Sequence, residues 1–135
     1  MIDENLPIEE VRAIFAKDQF ATNAGCVIVE ASKHHAVCEM PLSDLHKNAQ
    51  GGIMGGAIFT LADFALAVSV NVGQPDTVAI DNNIRYLSAP KGSKLIATAH
   101  MDKPGRSLAF VTVTVTDDTG RDIAIMTATG FRTAQ

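Results

Sequence analysis

One stretch, residues 53–70, constrains the fold of this 135-residue chain more than any other part of it. Its sequence, IMGGAIFTLADFALAVSV, is apolar on all sides of a helix and carries one charge, Asp63. A helix without a polar face must be covered all round. The stretch is nearly long enough to span a membrane, but a carboxylate near the centre of a span costs about 2.5–3.5 kcal/mol. We therefore interpret it as the buried helix of a soluble protein and expect no membrane partner.

The rest of the chain has the pattern of short strands around this helix. An amphipathic helix is predicted over residues 8–15 and a loop over residues 41–50. Strands are predicted over residues 26–31, 36–40, 77–87, 94–101, 107–116 and 121–131. Successive strands joined by hairpin-length turns give an antiparallel sheet. We expect an α+β fold in which the sheet wraps the helix and a partner subunit covers the rest. Residues 1–135 are interpreted as a single domain, with residues 1–20 as an N-terminal helical segment.

Charge and cysteine content exclude several classes of function. The chain has 11 Lys and Arg against 15 Asp and Glu, a formal net charge of −4, which argues against a nucleic-acid partner held by phosphate contacts. The two cysteines, Cys26 and Cys38, are too few for a disulfide-stapled secreted domain and are expected to be buried thiols. The acidic N-terminus does not resemble a signal peptide. The four histidines have no metal-ligand spacing. We expect a cytoplasmic protein without a metal site.

The segment NAQGGIMGGAIFTLAD, residues 48–63, is the candidate for chemistry. Its four glycines, just before a helix, allow close approach of the backbone and leave free N–H groups at the positive helix end, which can hold a developing oxyanion. The structural alternative is that the glycines only let the helix cross a strand closely. Asp63 has no Lys or Arg three or four residues away. It must therefore pair with a backbone N–H or a distant group such as Arg85, reach a cavity, or take part in a reaction.

The spacing of these residues resembles the pattern Asn-x5-His-Gly-Gly-x4-Leu-x-Asp of hotdog-fold acyl-CoA thioesterases of the PaaI-like (phenylacetate-pathway) group. The matching residues are Asn48, Gly55, Gly56, Leu61 and Asp63. The resemblance continues through DNNIRYLSAP, residues 81–90, and KPGRSLAF, residues 103–110, and covers about residues 20–133. Several motifs in the same order indicate the fold with fair specificity.

The resemblance implies a fold, an assembly and a reaction. The fold is an antiparallel sheet wrapped around a long central helix, and the assembly is a homodimer with two interfacial sites, or a homotetramer. The reaction is hydrolysis of an acyl- or aryl-CoA thioester to the free acid and CoA. Asp63 would be the catalytic carboxylate, acting as nucleophile or as base for water. Asn48 would act from the neighbouring subunit, and the backbone N–H of Gly55 would polarise the thioester carbonyl.

The resemblance also implies which residues contact an acyl-CoA substrate, whose CoA is part of the substrate and not a cofactor. Arg106 is the preferred phosphate contact, because a guanidinium can bind phosphate through two hydrogen bonds. The full set of expected substrate-binding residues is Met54, Gly56, Ala79, Asn82, Lys103, Gly105 and Arg106.

Two positions depart from the family pattern. Met54 replaces the usual His, and a thioether can neither carry charge nor donate a hydrogen bond. Ala79 stands where a Ser or Thr is often found. These departures leave a non-catalytic acyl-CoA-binding hotdog protein as an alternative. A hotdog dehydratase is a weaker alternative, because the motif lacks the histidine of its Asp/His pair, and the missing G-x-S-x-G motif excludes an α/β-hydrolase.

Overall fold

In the computed structural model, which describes residues 1–133, one antiparallel sheet surrounds one long helix. The helices are α1 (Ile8–Phe15), α2 (Gln19–Asn23) and α3 (Gly55–Asn71), with a short 3-10 helix at Asp44–His46. The strands are β1 (Val27–Ser32), β2 (His35–Pro41), β3 (Thr77–Tyr86), β4 (Lys94–Pro104), β5 (Leu108–Asp117) and β6 (Asp122–Arg132). Each of these strands contacts α3. The predicted α+β class and hotdog architecture are confirmed.

The order of the strands corrects one expectation. The sheet runs β1-β2-β4-β5-β6-β3, so β3 pairs with β6 and not with the next strand in the chain. The connection of residues 87–93 is therefore not a hairpin turn: it leads from the edge strand β3 to β4 in the middle of the sheet. The pattern also missed α2 and the 3-10 helix, because each is too short to show a helical period.

Small side chains let α3 lie close to the sheet. Four fully buried alanines on β2, β4 and β5 form part of its inner face: Ala36, Ala97, Ala99 and Ala109. Leu61, Ala62, Ala65 and Val68 of α3 are also fully buried. On α1, Phe15 meets Phe64 edge to face, with ring centroids 6.1 Å apart. One stripe of the helix stays partly uncovered, at Gly56, Thr60, Asp63 and Ala67, spaced three or four residues apart.

The β5–β6 turn fixes the connection of residues 87–93. The carboxylate of Asp117 accepts hydrogen bonds from the backbone N–H groups of Lys91 and Gly92 at 2.8 and 2.9 Å. Its other oxygen accepts from Thr119 N and Oγ1 and from Arg121 N, at 2.6–3.1 Å. These hydrogen bonds hold the pKa of Asp117 well below its ordinary value. A single buried carboxylate thus joins two loops.

Two further expectations concern α3 and the thiols. No helix within residues 1–133 is both long and apolar enough to cross a membrane. Cys26 and Cys38 are buried and unpaired, as predicted, and burial raises the pKa of Cys26 to about 12.

Candidate active site

The loop that leads into α3 is organised by Asn48. Its side-chain Oδ1 accepts hydrogen bonds from the backbone N–H groups of Gln50 and Gly52, at 3.0 and 3.1 Å. Gly51 has a φ of +84°, which favours glycine. The N–H groups of Gly51 and Gly52 are thus bonded within a turn. Of the four glycines, only Gly55 and Gly56 lie at the helix end.

The N-terminus of α3 presents unpaired backbone donors. Met54 precedes the helix in an extended conformation and provides no side-chain cap. The N–H groups of Gly55 and Gly56, in the first turn, have no acceptor within the helix. Tyr86 lies against this point: its Oη donates to the Gly55 carbonyl at 2.9 Å, and its ring is 3.1 Å from where a Cβ of residue 55 would be. A side chain at residue 55 would displace Tyr86.

Asp63 lies near the middle of α3 with its side chain half-buried. Nδ2 of Asn82, on β3, donates a hydrogen bond to its Oδ1 at 3.2 Å. The partner of this carboxylate is therefore an amide side chain, and not Arg85 or a backbone N–H. Burial raises the pKa of Asp63, the hydrogen bond from Asn82 lowers it, and the nearby charge of Asp18 raises it, with a net upward shift.

Asp63 lines two clefts, one on each side of the uncovered stripe of α3. The α3–β3 cleft is lined by Asp63, Leu66, Ala67, Val70, Thr77, Val78, Ala79 and Asn82. The α2–α3 cleft is lined by Asp18, Gln19, Phe20, Ala21, Phe59, Thr60, Asp63, Phe64 and Ala67. The structure thus brings Ala79 and Asn82 together with Asp63. Met54 and Gly56 line a third cleft, which shares Phe20 and Thr60 with the second.

The turn of residues 103–106, called the cationic turn below, lies away from Asp63 and its clefts. Gly105 and Arg106 line a cleft beyond the C-terminal end of α3, together with Lys33, His34 and Arg132. Lys103 is exposed on β4 and does not line this cleft. A Cβ on Gly105 would overlap the carbonyl oxygen of Leu108, so the turn requires glycine here. Arg132 is buried and donates to Val70 O, Thr77 Oγ1 and Gln74 Oε1, which makes it a tie between α3, β3 and β6.

His46, in the loop predicted over residues 41–50, is shielded from solvent. Its side chain is buried, Nδ1 accepts from Ser43 N at 3.1 Å and Nε2 lies 2.5 Å from Ala24 O. An accepting Nδ1 leaves the proton on Nε2, which donates to Ala24. The carbonyl of His46 accepts from Met54 N at 2.8 Å, so this residue positions the start of α3. The signal in the sequence is Ser43 three residues before His46, a capping-box spacing. No group of three or more His, Cys, Asp or Glu side chains suited to a metal ion occurs in residues 1–133.

The predicted catalytic residues fall into two separate groups within one chain. Gly55 begins α3 and Asn48 lies in the loop before it, whereas Asp63 lies in the middle of α3. Eight residues of helix separate Gly55 from Asp63, which is about 12 Å along the axis at 1.5 Å per residue. Within one chain, the backbone N–H of Gly55 and the carboxylate of Asp63 are therefore well separated along α3.

Comparison with known families shows which family the chain belongs to. Residues 50–124, more than half of the chain, match the family model of the Thioesterase superfamily. The chain belongs to the thioesterase superfamily. The match includes the helix that carries Asp63 and the strand that carries Asn82. The predictions of a PaaI-like hotdog thioesterase and of a thioester hydrolase are thereby confirmed at the level of the family.

Individual thioesterases are similar over most of the chain. Acyl-coenzyme A thioesterase 13 of Homo sapiens is 34% identical over 122 residues, 86% of each sequence. The structure of the E. coli PaaI protein superposes with a TM-score of 0.86 over 92% of this chain and 91% of that one, at 23% identity, and supports the fold. A hypothetical thioesterase from Streptococcus pneumoniae, solved with coenzyme A, has a TM-score of 0.82 and 26% identity over 90% of this chain and 98% of that one.

Proposed function

We propose that the chain hydrolyses acyl- or aryl-CoA thioesters, with Asp63 as the catalytic carboxylate. The observation that carries this proposal is a half-buried carboxylate, held by an amide and open to two clefts, in the middle of an otherwise apolar helix. The name of the human relative and the coenzyme A in the Streptococcus pneumoniae structure support CoA esters as the substrate class.

The N-terminus of α3 supplies the electrophilic half of the reaction. Gly55 N–H, at the positive end of the helix dipole, is placed to stabilise the oxyanion that forms when the thioester carbonyl is attacked. Asn48 uses Oδ1 to hold its turn, and within residues 1–133 its Nδ2 makes no hydrogen bond. This amide donor is free to orient the thioester. Met54 and Gly56 border the same end of the helix and would contact the substrate there.

We propose that two protomers complete each site, with Gly55 and Asn48 from one facing Asp63 and Ala79 from the other. The separation of about 12 Å along α3 between Gly55 and Asp63 supports this proposal. The edge strand β3 supports it, because it carries exposed apolar side chains at Val78 (51%) and Ile80 (59%). An exposed apolar edge strand pairs readily with another strand. A homodimer joined along β3 would bury these residues, and two dimers could form a homotetramer.

The cationic turn is proposed to hold the phosphates of CoA. Arg106 is exposed, and its guanidinium makes no hydrogen bond or ion pair within residues 1–133. Lys103 is also exposed and close in sequence, and Gly105 sets the turn. Arg132 in the same cleft is buried and already makes three hydrogen bonds to the protein, so the exposed Arg106 is better placed for phosphate.

The second candidate is a protein that binds acyl-CoA without hydrolysing it. Met54 favours this candidate, because the thioether is 54% exposed beside the helix end and cannot act as an acid, a base or a hydrogen-bond donor.

Thiol release from a panel of alkyl- and aryl-CoA esters separates the two functions. We expect the parent protein to release thiol and Asp63→Asn to lower kcat by about 10²–10⁴-fold, the usual contribution of a catalytic acid or base. Asp122→Asn, at an exposed carboxylate that begins β6, serves as the matched control and should leave kcat unchanged. Binding of CoA esters with no thiol release from any of them would establish the binding-only function.

A further inference from the structure

Asn82 carries an unusual pair of hydrogen-bonding atoms. Its Nδ2 donates to Asp63 Oδ1 at 3.2 Å, while its own Oδ1 is buried and has no hydrogen-bond partner within residues 1–133. A buried carbonyl oxygen without a donor is costly, and most such atoms in folded proteins are satisfied. This oxygen therefore calls for a donor that the described residues do not provide.

The orientation of the amide follows from the charge of its neighbour. An ionised carboxylate only accepts hydrogen bonds, so the nitrogen of Asn82 is the atom that faces Asp63. The amide oxygen then points away from the carboxylate. Rotating the side chain to satisfy Oδ1 elsewhere would remove the donor from Asp63.

The walls of the α3–β3 cleft offer no donor to Asn82 Oδ1. Leu66, Ala67, Val70, Val78 and Ala79 contribute apolar side chains. The hydroxyl of Thr77 already donates to Pro75 O at 2.8 Å and accepts from Arg132 at 2.7 Å. Two acceptors, the Asp63 carboxylate and Asn82 Oδ1, thus lie at one end of an otherwise apolar cleft. A water molecule has two O–H donors and therefore matches this pair of acceptors.

We propose that Asn82 is a positioning residue of the hydrolase, which holds the Asp63 carboxylate through Nδ2 and the attacking water through Oδ1. The proposal rests on the proposed function and assigns Asp63 the role of general base. The water transfers one proton to Asp63 while its oxygen forms a bond to the thioester carbon, and the carbonyl electron pair moves to the oxygen facing Gly55 N–H. Collapse re-forms the carbonyl and breaks the C–S bond, and the departing thiolate takes the proton from Asp63. The free acid, the CoA thiol and an ionised Asp63 result.

The other titratable groups near α3 make no hydrogen bond to Asp63 within residues 1–133, whereas Asn82 does. Asp18, in the α2–α3 cleft, is the charged side chain that acts on Asp63 from the other side. Burial raises the pKa values of the Cys26 and Cys38 thiols, so both are neutral. Asp81 and Arg85 point away from α3, because they alternate with Asn82 along β3. Two further ionic groups are already bonded at strand ends, namely Asp117 and Arg132.

The test compares Asn82→Leu, which keeps a similar volume without hydrogen-bonding atoms, with Asn83→Leu, the next residue on the opposite face of β3. For Asn82→Leu we expect kcat to fall by about 10–100-fold, the effect of one hydrogen bond to a charged group, with KM unchanged. The hydrogen bond from Asn82 lowers the pKa of Asp63, so its removal should raise that pKa. The acid limb of the kcat/KM profile should therefore move to higher pH. Asn82→Asp should move it further through like-charge repulsion. Asn83→Leu should change neither kcat nor the position of the acid limb.

Titration of the Asp63 carboxyl by 13C NMR, without substrate, provides a readout independent of turnover. We expect a higher pKa in Asn82→Leu than in the parent protein. If Asn82→Leu keeps the parent kcat, pH profile and Asp63 titration, the role of Asn82 is wrong while thiol release by the parent still supports the hydrolase. If the parent releases no thiol, the proposed function and the positioning role both fail, and the titration then reports a purely structural pair.

Discussion

At the scale of the residue, the pKa of Asp63 is raised by some neighbouring groups and lowered by others. Its place on an apolar helix raises its pKa by burial, and the charge of Asp18 adds to this, whereas the amide of Asn82 stabilises the ionised form. The net result is a carboxylate that is a stronger base than an exposed aspartate. Such a balance suits a group that must accept a proton and then release it.

The activity should therefore be lost in acid at a higher pH than an ordinary aspartate implies. Asp63 must be ionised to act, and its pKa is raised above 3.8, so kcat/KM should fall as pH drops through a midpoint above that value. Asp18→Asn removes a repelling charge and should move the midpoint to lower pH. The loss of thioester absorbance, followed across the acid range for both proteins, measures the two midpoints. An unchanged midpoint in Asp18→Asn would contradict the influence of this charge.

The sequence alone identified Asp63 as exceptional, because a charge on an apolar helix without a cationic neighbour needs an explanation. It could not predict that Asn82 would be the partner. That contact depends on which face of β3 carries Asn82, and a β-bulge between Ala79 and Asp81 shifts the pairing of β3 with β6 just before this residue. Similarly, the buried state of His46 depends on α2, which has too few residues to show a pattern.

At the scale of the element, the strands were predicted to within a few residues, but the neighbour of β3 was not. Short connections usually join paired strands, and the connection of residues 87–93 is an exception. Its path is held by Asp117, whose five hydrogen bonds cannot be anticipated from the local sequence DDTG, a common turn motif. The same connection borders the loop that contains Gly51 and Gly52, so it supports one half of the active site.

Replacing Asp117 should destabilise the fold in a pH-dependent way. An amide cannot accept all five hydrogen bonds, so Asp117→Asn should lower the Tm at neutral pH. The folded state lowers the pKa of Asp117 below 3.8, so its contribution is complete above that pH and is lost as pH falls below it. The difference in Tm between parent and variant should therefore narrow in strong acid. Calorimetry at several pH values tests this, with Asp122→Asn as the control; a constant difference would contradict it.

At the scale of the whole molecule, the exposure of α3 bears on the proposal that two chains form each site. One face is covered by the sheet, and the remaining stripe, which includes Asp63, is open to a partner or a substrate. From the absence of a polar helix face, the sequence predicted that a partner subunit covers part of α3, and this stays a prediction. The position of β3 at the edge of the sheet, on which the proposed dimer depends, could not be predicted from the sequence.

A charge on the exposed edge of β3 should separate the protomers and abolish turnover together. Ile80 and Val29 are exposed apolar residues at β-bulges on the two opposite edge strands. We expect Ile80→Lys to give monomers by light scattering, with a retained circular dichroism spectrum and no thiol release. Val29→Lys, the matched change on β1, should leave the dimer or tetramer and its activity intact. A fully active Ile80→Lys monomer would show that one chain suffices.

The spacing of Gly55 and Asp63 along one helix has a consequence for inheritance. If each catalytic centre draws its oxyanion donor from one polypeptide and its carboxylate from the other, a defect in either half disables both centres of a uniform pair. Two alleles with defects in different halves would then complement each other, because a mixed pair contains one centre with both halves intact. In such a pair, the helix that separates these groups by about 12 Å would make the pair of gene products, and not the single product, the unit on which selection for catalysis acts.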